Sequence, residues 1–197
     1  MKKINNFEWD RQIFHIFLGI AIAVLLLYDF IDKNTIFIII ILGMMVSYVS
    51  KKTEIPVICS LLKKFGRKEE IKNFPGNGII FYFIGVFIAL LLFPKDIAMA
   101  SIMVLALGDS VSHIYGLHYG KTKHPLSKTK FLEGTIAGFV AGFIGALVFA
   151  NWYEALLASS AAMLAEAIEI KIGAQQVDDN LIVPVVAGAV IWIVRLV

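Results

Sequence analysis

Asp109 and His113 stand four residues apart, and Glu166 and Glu169 three apart, in stretches otherwise dominated by Ala, Leu, Met, Val and Ile. At helical spacing each pair shares one face. An ionisable side chain at the centre of a membrane helix costs roughly 2.5–3.5 kcal/mol on insertion scales, so these residues point to function rather than to folding. Glu133 opens another apolar run, Asp178, Asp179 and Asn180 precede the last one, and His15 sits near the start of the first. The polar loop Gly116 to Leu132 carries Lys121, Lys123, Lys128 and Lys130 among glycine, serine and threonine. Carboxylates and lysines at one depth suit a metal-bound phosphate. Hard divalent cations take oxygen ligands from one or two carboxylates and from the phosphate itself, and lysines offset the remaining anionic charge. Taken singly, each part has a plainer reading: the lysines as ordinary basic loop residues, Glu166 or Glu169 as an interfacial acid. His113, His118 and His124 lack the spacing of a zinc site and read as polar interfacial side chains. The set stands out because carboxylates from four segments share one side, with no matching lysine on their own helices.

The elements that must hold these residues are membrane helices. The chain has 197 residues, 59% hydrophobic and only 17% charged, with a mean hydropathy of +0.81, against about 25% charge in soluble domains. It reads as one integral membrane domain spanning residues 1–197. Apolar segments fall at about 13–31, 35–50, 77–94, 97–115, 135–152, 154–171 and 181–196. Their runs are unbroken, without the alternation of a barrel strand, so the expected fold class is all-α and polytopic, with about seven transmembrane helices. Asn73 to Pro94 and Thr135 to Tyr153 are free of charge and are the cleanest spans by length. With the amino terminus inside, 15 of the 18 Lys and Arg residues fall on inner segments, leaving Lys33, Lys95 and Arg195 outside. That puts the carboxylates and the basic loop on the cytoplasmic face, with Asp29, Asp32, Asp96 and Glu154 as ordinary boundary residues at the other end. The opening MKKINNFEWDRQ is too polar for a cleaved signal. A lone Cys59 excludes an intrachain disulfide and a cysteine cluster, and a net charge of +3 in scattered groups gives nucleic-acid binding no support.

Three connectors have readings of their own. Val57, Ile58, Leu61, Leu62 and Phe65 recur at helical spacing, with Lys63, Lys64, Arg67 and Lys68 at or just beyond the end of the stretch. This predicts an amphipathic interfacial helix near 56–68, either a plain connector held by anionic headgroups or an entry ramp for a lipid. Gly134, Gly138 and Gly142 recur every fourth residue, a stripe for close helix packing rather than chemistry. Gly116 to Thr122 is one residue short of GxxxxGK[ST] and follows a membrane helix instead of a strand, so it is not a P-loop, although Gly120 beside Lys121 would let backbone N–H groups approach a phosphate.

In chain order, Gly108-Asp109-Ser-Val-Ser112, Tyr115-Gly-Leu-His-Tyr-Gly-Lys121, Lys130-Phe-Leu-Glu-Gly-Thr135, Ala165-Glu166-Ala167 and Asp178-Asp-Asn-Leu-Ile-Val-Pro184 resemble the CTP-dependent lipid kinases. That family includes dolichol and polyprenol kinases, phytol kinase and a CTP-dependent diacylglycerol kinase. Trp9-Asp-Arg-Gln-Ile-Phe-His15 also resembles the family's charged lead into its first helix, so the likeness covers about residues 10–190. Phe131 departs from the family pattern, which usually has serine or threonine after the lysine, and leaves Thr129 or Ser127 to supply a hydroxyl. The resemblance implies Mg2+-dependent transfer from CTP to a lipid alcohol, giving the lipid monophosphate. It implies Asp109 with Glu166, Asp178 or Asp179 at the metal, and Lys121, Lys128, Lys130, Gly120 and Asn180 at the nucleotide. Glu133 or Glu169 is then left as base for the hydroxyl, the division among these acids staying open. The alternative is a CDP-lipid synthase of the wider superfamily, whose carboxyl-terminal signature is missing here; less favoured is a small transporter, since the charges group toward one side rather than the midplane.

Overall fold

The computed structural model describes residues 6–52, 74–168, 170–172 and 175–196; the segment expected to form the interfacial helix near 56–68, and Glu169, lie outside them. The helices are α1 (Asn6–Leu27), α2 (Lys33–Lys52), α3 (Asn77–Leu92), α4 (Lys95–Met103), α5 (Ser110–Tyr119), α6 (Leu132–Ala146), α7 (Trp152–Ala167) and α8 (Asp179–Leu196). A π-helical stretch, Val104–Asp109, joins α4 to α5 without a break, so Lys95–Tyr119 is one rod of 25 residues. A two-residue antiparallel pairing, β1 (Lys171–Ile172) with β2 (Gln175–Gln176), turns the chain from α7 into α8. Four rods, α1, α2, α4–α5 and α8, are long and apolar enough to cross a membrane.

Helices α3 and α6, predicted from their charge-free runs to be the cleanest spans, are only 16 and 15 residues long. At about 1.5 Å per residue they reach roughly 22–24 Å, short of a 30 Å hydrocarbon layer. Pro94 holds Phe93 extended and stops α3, while Leu147 to Ala150 close α6 with turns onto Phe143, Gly145 and Ala146. Elsewhere the helices outrun the apolar stretches: α1 takes in the charged lead from Asn6, and α5 continues through Gly116 to Tyr119.

The rod α4–α5 is the centre of the bundle, with 72% of its most apolar window buried against 17% for the peripheral α2. Its π-helical residues Val104, Leu105 and Ala106 are fully enclosed, with Ile97, Ile102, Met163 and Ile191 around them. Outward faces carry Phe17, Ile38, Ile136, Val148 and Ile193 exposed, an apolar surface suited to lipid. The far end from Asp179 is closed by charge pairs. Lys95 meets Asp29 at 2.5 Å, and Arg195 bonds both Glu154 (2.9 Å) and Asp96. The boundary acids expected there thus hold helix ends together.

The glycine stripe of α6 packs as expected. A methyl on Gly138 would lie 2.6 Å from Ser112 Cβ and 2.7 Å from the Gly108 carbonyl, and one on Gly134 would lie 2.6 Å from the Ser112 carbonyl. Backbone therefore meets backbone where α6 crosses the rod. Gly138→Val should lower stability by about 1–3 kcal/mol, read by thermal unfolding in detergent. Gly43→Ala, whose methyl would sit at an ordinary 3.6 Å from Ile80 in the interior of α2, should not lower the midpoint and should raise it slightly, because alanine is the better helix former.

Candidate active site

One lysine organises the charged end of the bundle. The chain after α5 folds back on itself as a hairpin: the Leu132 N–H donates to the Thr122 carbonyl (3.0 Å) and the His124 N–H to the Lys130 carbonyl (3.1 Å). Ser127 Oγ accepts the N–H groups of Thr129 (3.1 Å) and Lys130 (3.0 Å), fixing the bend. The hydroxyl that sequence reasoning offered to a phosphate thus holds the backbone of Lys130. Lys130 then reaches from the loop into the bundle. Its Nζ donates to Glu166 Oε1 (2.8 Å), to the Glu166 carbonyl (2.5 Å) and to Asp179 Oδ2 (2.8 Å), joining the end of α7 to the start of α8. Burial pulls the Lys130 ammonium down, but Glu166, Asp179 and Asp109 outweigh it and raise it above the usual lysine range.

Asp109 completes the group from the end of the π-helical stretch. Oxygens of Asp109, Glu166 and Asp179 all lie within 4.8 Å of one another. Three carboxylate oxygens this close together could serve as ligands of one divalent cation. Glu166 is buried and also accepts Ser112 Oγ at 3.1 and 3.3 Å. Three carboxylates against one ammonium leave an anionic excess that fits a divalent cation. A π-helical insertion in the rod, a distortion often found at functional sites, carries the first of them.

Two cavities meet at this group. One, of about 360 Å3, has Ser112, Gly116, Leu117, Phe131, Lys130 and Glu166 in its wall; the other, of about 290 Å3, has Arg11, Gln12, His15, Asn77, Asp109 and Asn180. Asp179 and His113 line both. His113 is braced by Glu8 (3.2 Å), and His118 accepts Trp9 Nε1–H (2.9 Å), so these two histidines lock α1 onto α5.

Of the other expected site residues, Asp178 and Asn180 line the second cavity, while Glu133, Lys121, Lys128 and Gly120 line neither. Asp178 Oδ1 accepts both the backbone N–H (3.0 Å) and Nδ2–H (2.7 Å) of Asn180, capping α8 beside the three carboxylates. Burial pushes the Asp178 carboxyl up, against the pull of those N–H groups. Glu133 accepts the Thr122 N–H (2.9 Å) and supports the hairpin, lining neither cavity. Lys121 and Lys128 are exposed on the loop. Gly120 serves packing, since a methyl there would fall 2.2 Å from the Gly116 carbonyl. Sequence reasoning missed Arg11, Gln12, Asn77 and Ser112. The signal for the first two was present: Arg11, Gln12 and His15 at helical spacing are all buried on one face of α1.

This arrangement makes opposite predictions for its members. Lys130→Met removes the cation bonded to two partly or wholly buried carboxylates and should cost about 3–5 kcal/mol. Asp109→Asn relieves like-charge repulsion and should raise the unfolding midpoint by about 2–4 °C per kcal/mol gained. Thermal unfolding in chelator reads both, and a lowered midpoint for Asp109→Asn would mean its charge is already compensated.

No protein-family model and no solved structure matches the chain. Among curated proteins it is 31% identical over 144 residues to CTP-dependent diacylglycerol kinase 1 of Schizosaccharomyces pombe, covering 64% of each chain. It is 30% identical over 189 residues to an uncharacterised protein of Methanocaldococcus jannaschii, covering 93% of this chain and 92% of that one. A probable chloroplastic phytol kinase of Triticum aestivum is 31% identical over 136 residues, 60% of this chain and 43% of its own. The chain thus spans two thirds or less of the length of these relatives named as kinases. With the motifs in order along the chain and their acids and lysine converging on one site, the chain is similar to the CTP-dependent lipid kinases, as its relatives named diacylglycerol kinase and phytol kinase support.

Proposed function

We propose that this protein transfers the terminal phosphoryl group of CTP to the hydroxyl of a lipid alcohol, with Mg2+ held by Asp109, Glu166 and Asp179. The observation that carries this reading is the position of the carboxylates and Lys130 at the boundary of two cavities. A donor in one cavity and an acceptor in the other would meet there. Phosphoryl transfer asks for positioning and charge stabilisation more than for covalent chemistry. Asp109, Glu166 and Asp179 would hold the metal, which when bound would supply positive charge against the phosphate oxygens. Lys130, held protonated, offsets charge on the transferred group, and Ser112 orients Glu166. The proton released by the hydroxyl passes to a carboxylate at this boundary; Glu133, occupied by the Thr122 N–H, holds the loop instead. Exposed Lys121 and Lys128 attract the triphosphate from solution. The alcohol is one with an apolar tail in the bilayer, in the class that takes in polyprenols, phytol and diacylglycerol.

The seven rods α1, α2, α3, α4–α5, α6, α7 and α8 are read as seven crossings, with the amino terminus and the site in the cytoplasm. The distribution of basic residues supports this orientation. A reporter active only in the cytoplasm should work at the amino terminus and fail at the carboxyl terminus. Equal activity at both ends would require an even number of crossings.

The label position tests the reaction. Attack of a lipid hydroxyl on the terminal phosphorus passes label from γ-labelled CTP to the lipid and releases CDP. Attack of a lipid phosphate on the innermost phosphorus, the CDP-lipid synthase reaction, passes label from α-labelled CTP and releases pyrophosphate. The first outcome is expected, abolished by chelator and reduced by orders of magnitude in Asp109→Asn. Label from the α position with pyrophosphate would replace the kinase reading by the synthase one.

A further inference from the structure

The second cavity, of about 290 Å3, is walled almost wholly by polar side chains; among the described residues Val177 is the one apolar residue lining it. Helix α1 contributes Arg11, Gln12 and His15, the start of α3 contributes Asn77, and the start of α8 contributes Asn180. Gln12 is 3% exposed and Asn180 4%. Among the described residues Gln12 Oε1, Asn77 Oδ1 and Asn180 Oδ1 are buried without a hydrogen-bond partner, as is Arg11 Nη1, which lies 3.8 Å from the Glu8 carboxylate. Buried polar groups are nearly always satisfied, so several orphans facing one space ask what fills it.

Their chemistry selects the occupant. The side-chain amides of Gln12 and Asn77 each carry a carbonyl acceptor and an N–H2 donor, while Asn180, whose N–H2 is bonded to Asp178, offers its carbonyl. Arginine offers donors only. The space therefore matches a planar edge with an amine beside ring acceptors. Cytosine has that edge: the 4-amino group gives two N–H donors, and N3 and O2 accept. Uracil reverses the first two positions, and adenine lacks the third. A lipid hydroxyl offers a single O–H, and this wall has little apolar surface for its tail. The first cavity, with Leu117 and Phe131 in its wall, is better suited to an alcohol.

We propose that the cavity between α1, α3 and the start of α8 holds the cytosine base of the nucleotide, its Watson–Crick edge read by Gln12, Asn77, Asn180 and Arg11. This rests on the CTP-dependent kinase reading and adds to it the source of nucleotide choice. The triphosphate then runs from this cavity past Asp179 and Asp109 to Lys130, and the alcohol enters from the other side.

The test is equilibrium binding to the full chain in lipid nanodiscs with Mg2+, using CTP, UTP and the analogue triphosphate lacking the 4-amino group. The unmodified protein should bind CTP at least about tenfold more tightly than either competitor, the scale of one lost buried hydrogen bond. Gln12→Leu and Asn77→Leu should each weaken CTP by a similar factor, and whichever of the two removes the acceptor of the 4-amino group should leave the analogue unchanged, with the KM for the lipid unmoved at saturating CTP. Equal affinity of the unmodified protein for CTP and the analogue overturns the proposal, whatever the variants do. So does a wild-type CTP-to-analogue ratio in both folded variants, or a raised lipid KM with nucleotide choice intact, which would give this cavity to the alcohol. Should no lipid alcohol be phosphorylated while CTP selectivity persists and is lost in the variants, the kinase reading fails and the base site stands.

Discussion

The ammonium of Lys130 is the contact on which the charged end of this bundle depends. Glu166 closes α7, Asp179 opens α8, and both would repel Asp109 at the end of the π-helical stretch. One cation bonded to two of them at 2.8 Å lets the three helix ends converge. Lys130 reaches them because the loop before α6 is a hairpin, tied by backbone bonds and by Ser127 and steadied by Glu133 on the Thr122 N–H. A flexible loop carrying the same lysine would leave one buried and one partly buried acid to find compensation in water, which an apolar bundle supplies poorly.

The two ends of the bundle treat charge differently. At the far end, Asp29 is largely exposed and Asp96 half-exposed, and Lys95 and Arg195 pair with them and with buried Glu154. Those bonds fasten helix termini. At the near end, three carboxylates face a single ammonium, with Asp178 beside them. The excess of negative charge, and not the number of acids, sets this end apart from a boundary that only needs neutralising.

Close backbone packing sets the positions of these groups. The glycines of α6 press against Gly108, Ser112 and Gly116, so the depth of α6 fixes where Ser112 meets Glu166. Pro184 in α8 has no N–H for the carbonyl of Asn180 four residues earlier. That carbonyl instead abuts Gly85 of α3, where a methyl would lie 2.0 Å from the oxygen. The start of α8, with Asp179 and Asn180, is thereby seated against α3. Small residues far from the chemistry are in this way part of its geometry.

The sequence by itself determined the helical rods and the chemical inventory. Unbroken apolar runs admit only helices in lipid, and acids that interrupt them at a cost in free energy are legible one by one, so Asp109, Glu166 and Asp179 could be picked out. Helix ends were less legible: apolar composition continues past Ala146 and Leu92, while turns and Pro94 stop the helices. Partnerships between distant residues were decided only by the tertiary structure. Lys130 meets Glu166 and Asp179 across 36 and 49 residues because of a hairpin bridge, whereas Lys121 and Lys128 on the same loop stay exposed. Glu133 and Asp178, equal candidates by type, turn to backbone N–H groups instead. The amides of α1, α3 and α8 share one cavity because helix rotation and crossing bring them there. Composition records which groups a chain must satisfy; their partners depend on distances that exist only after packing.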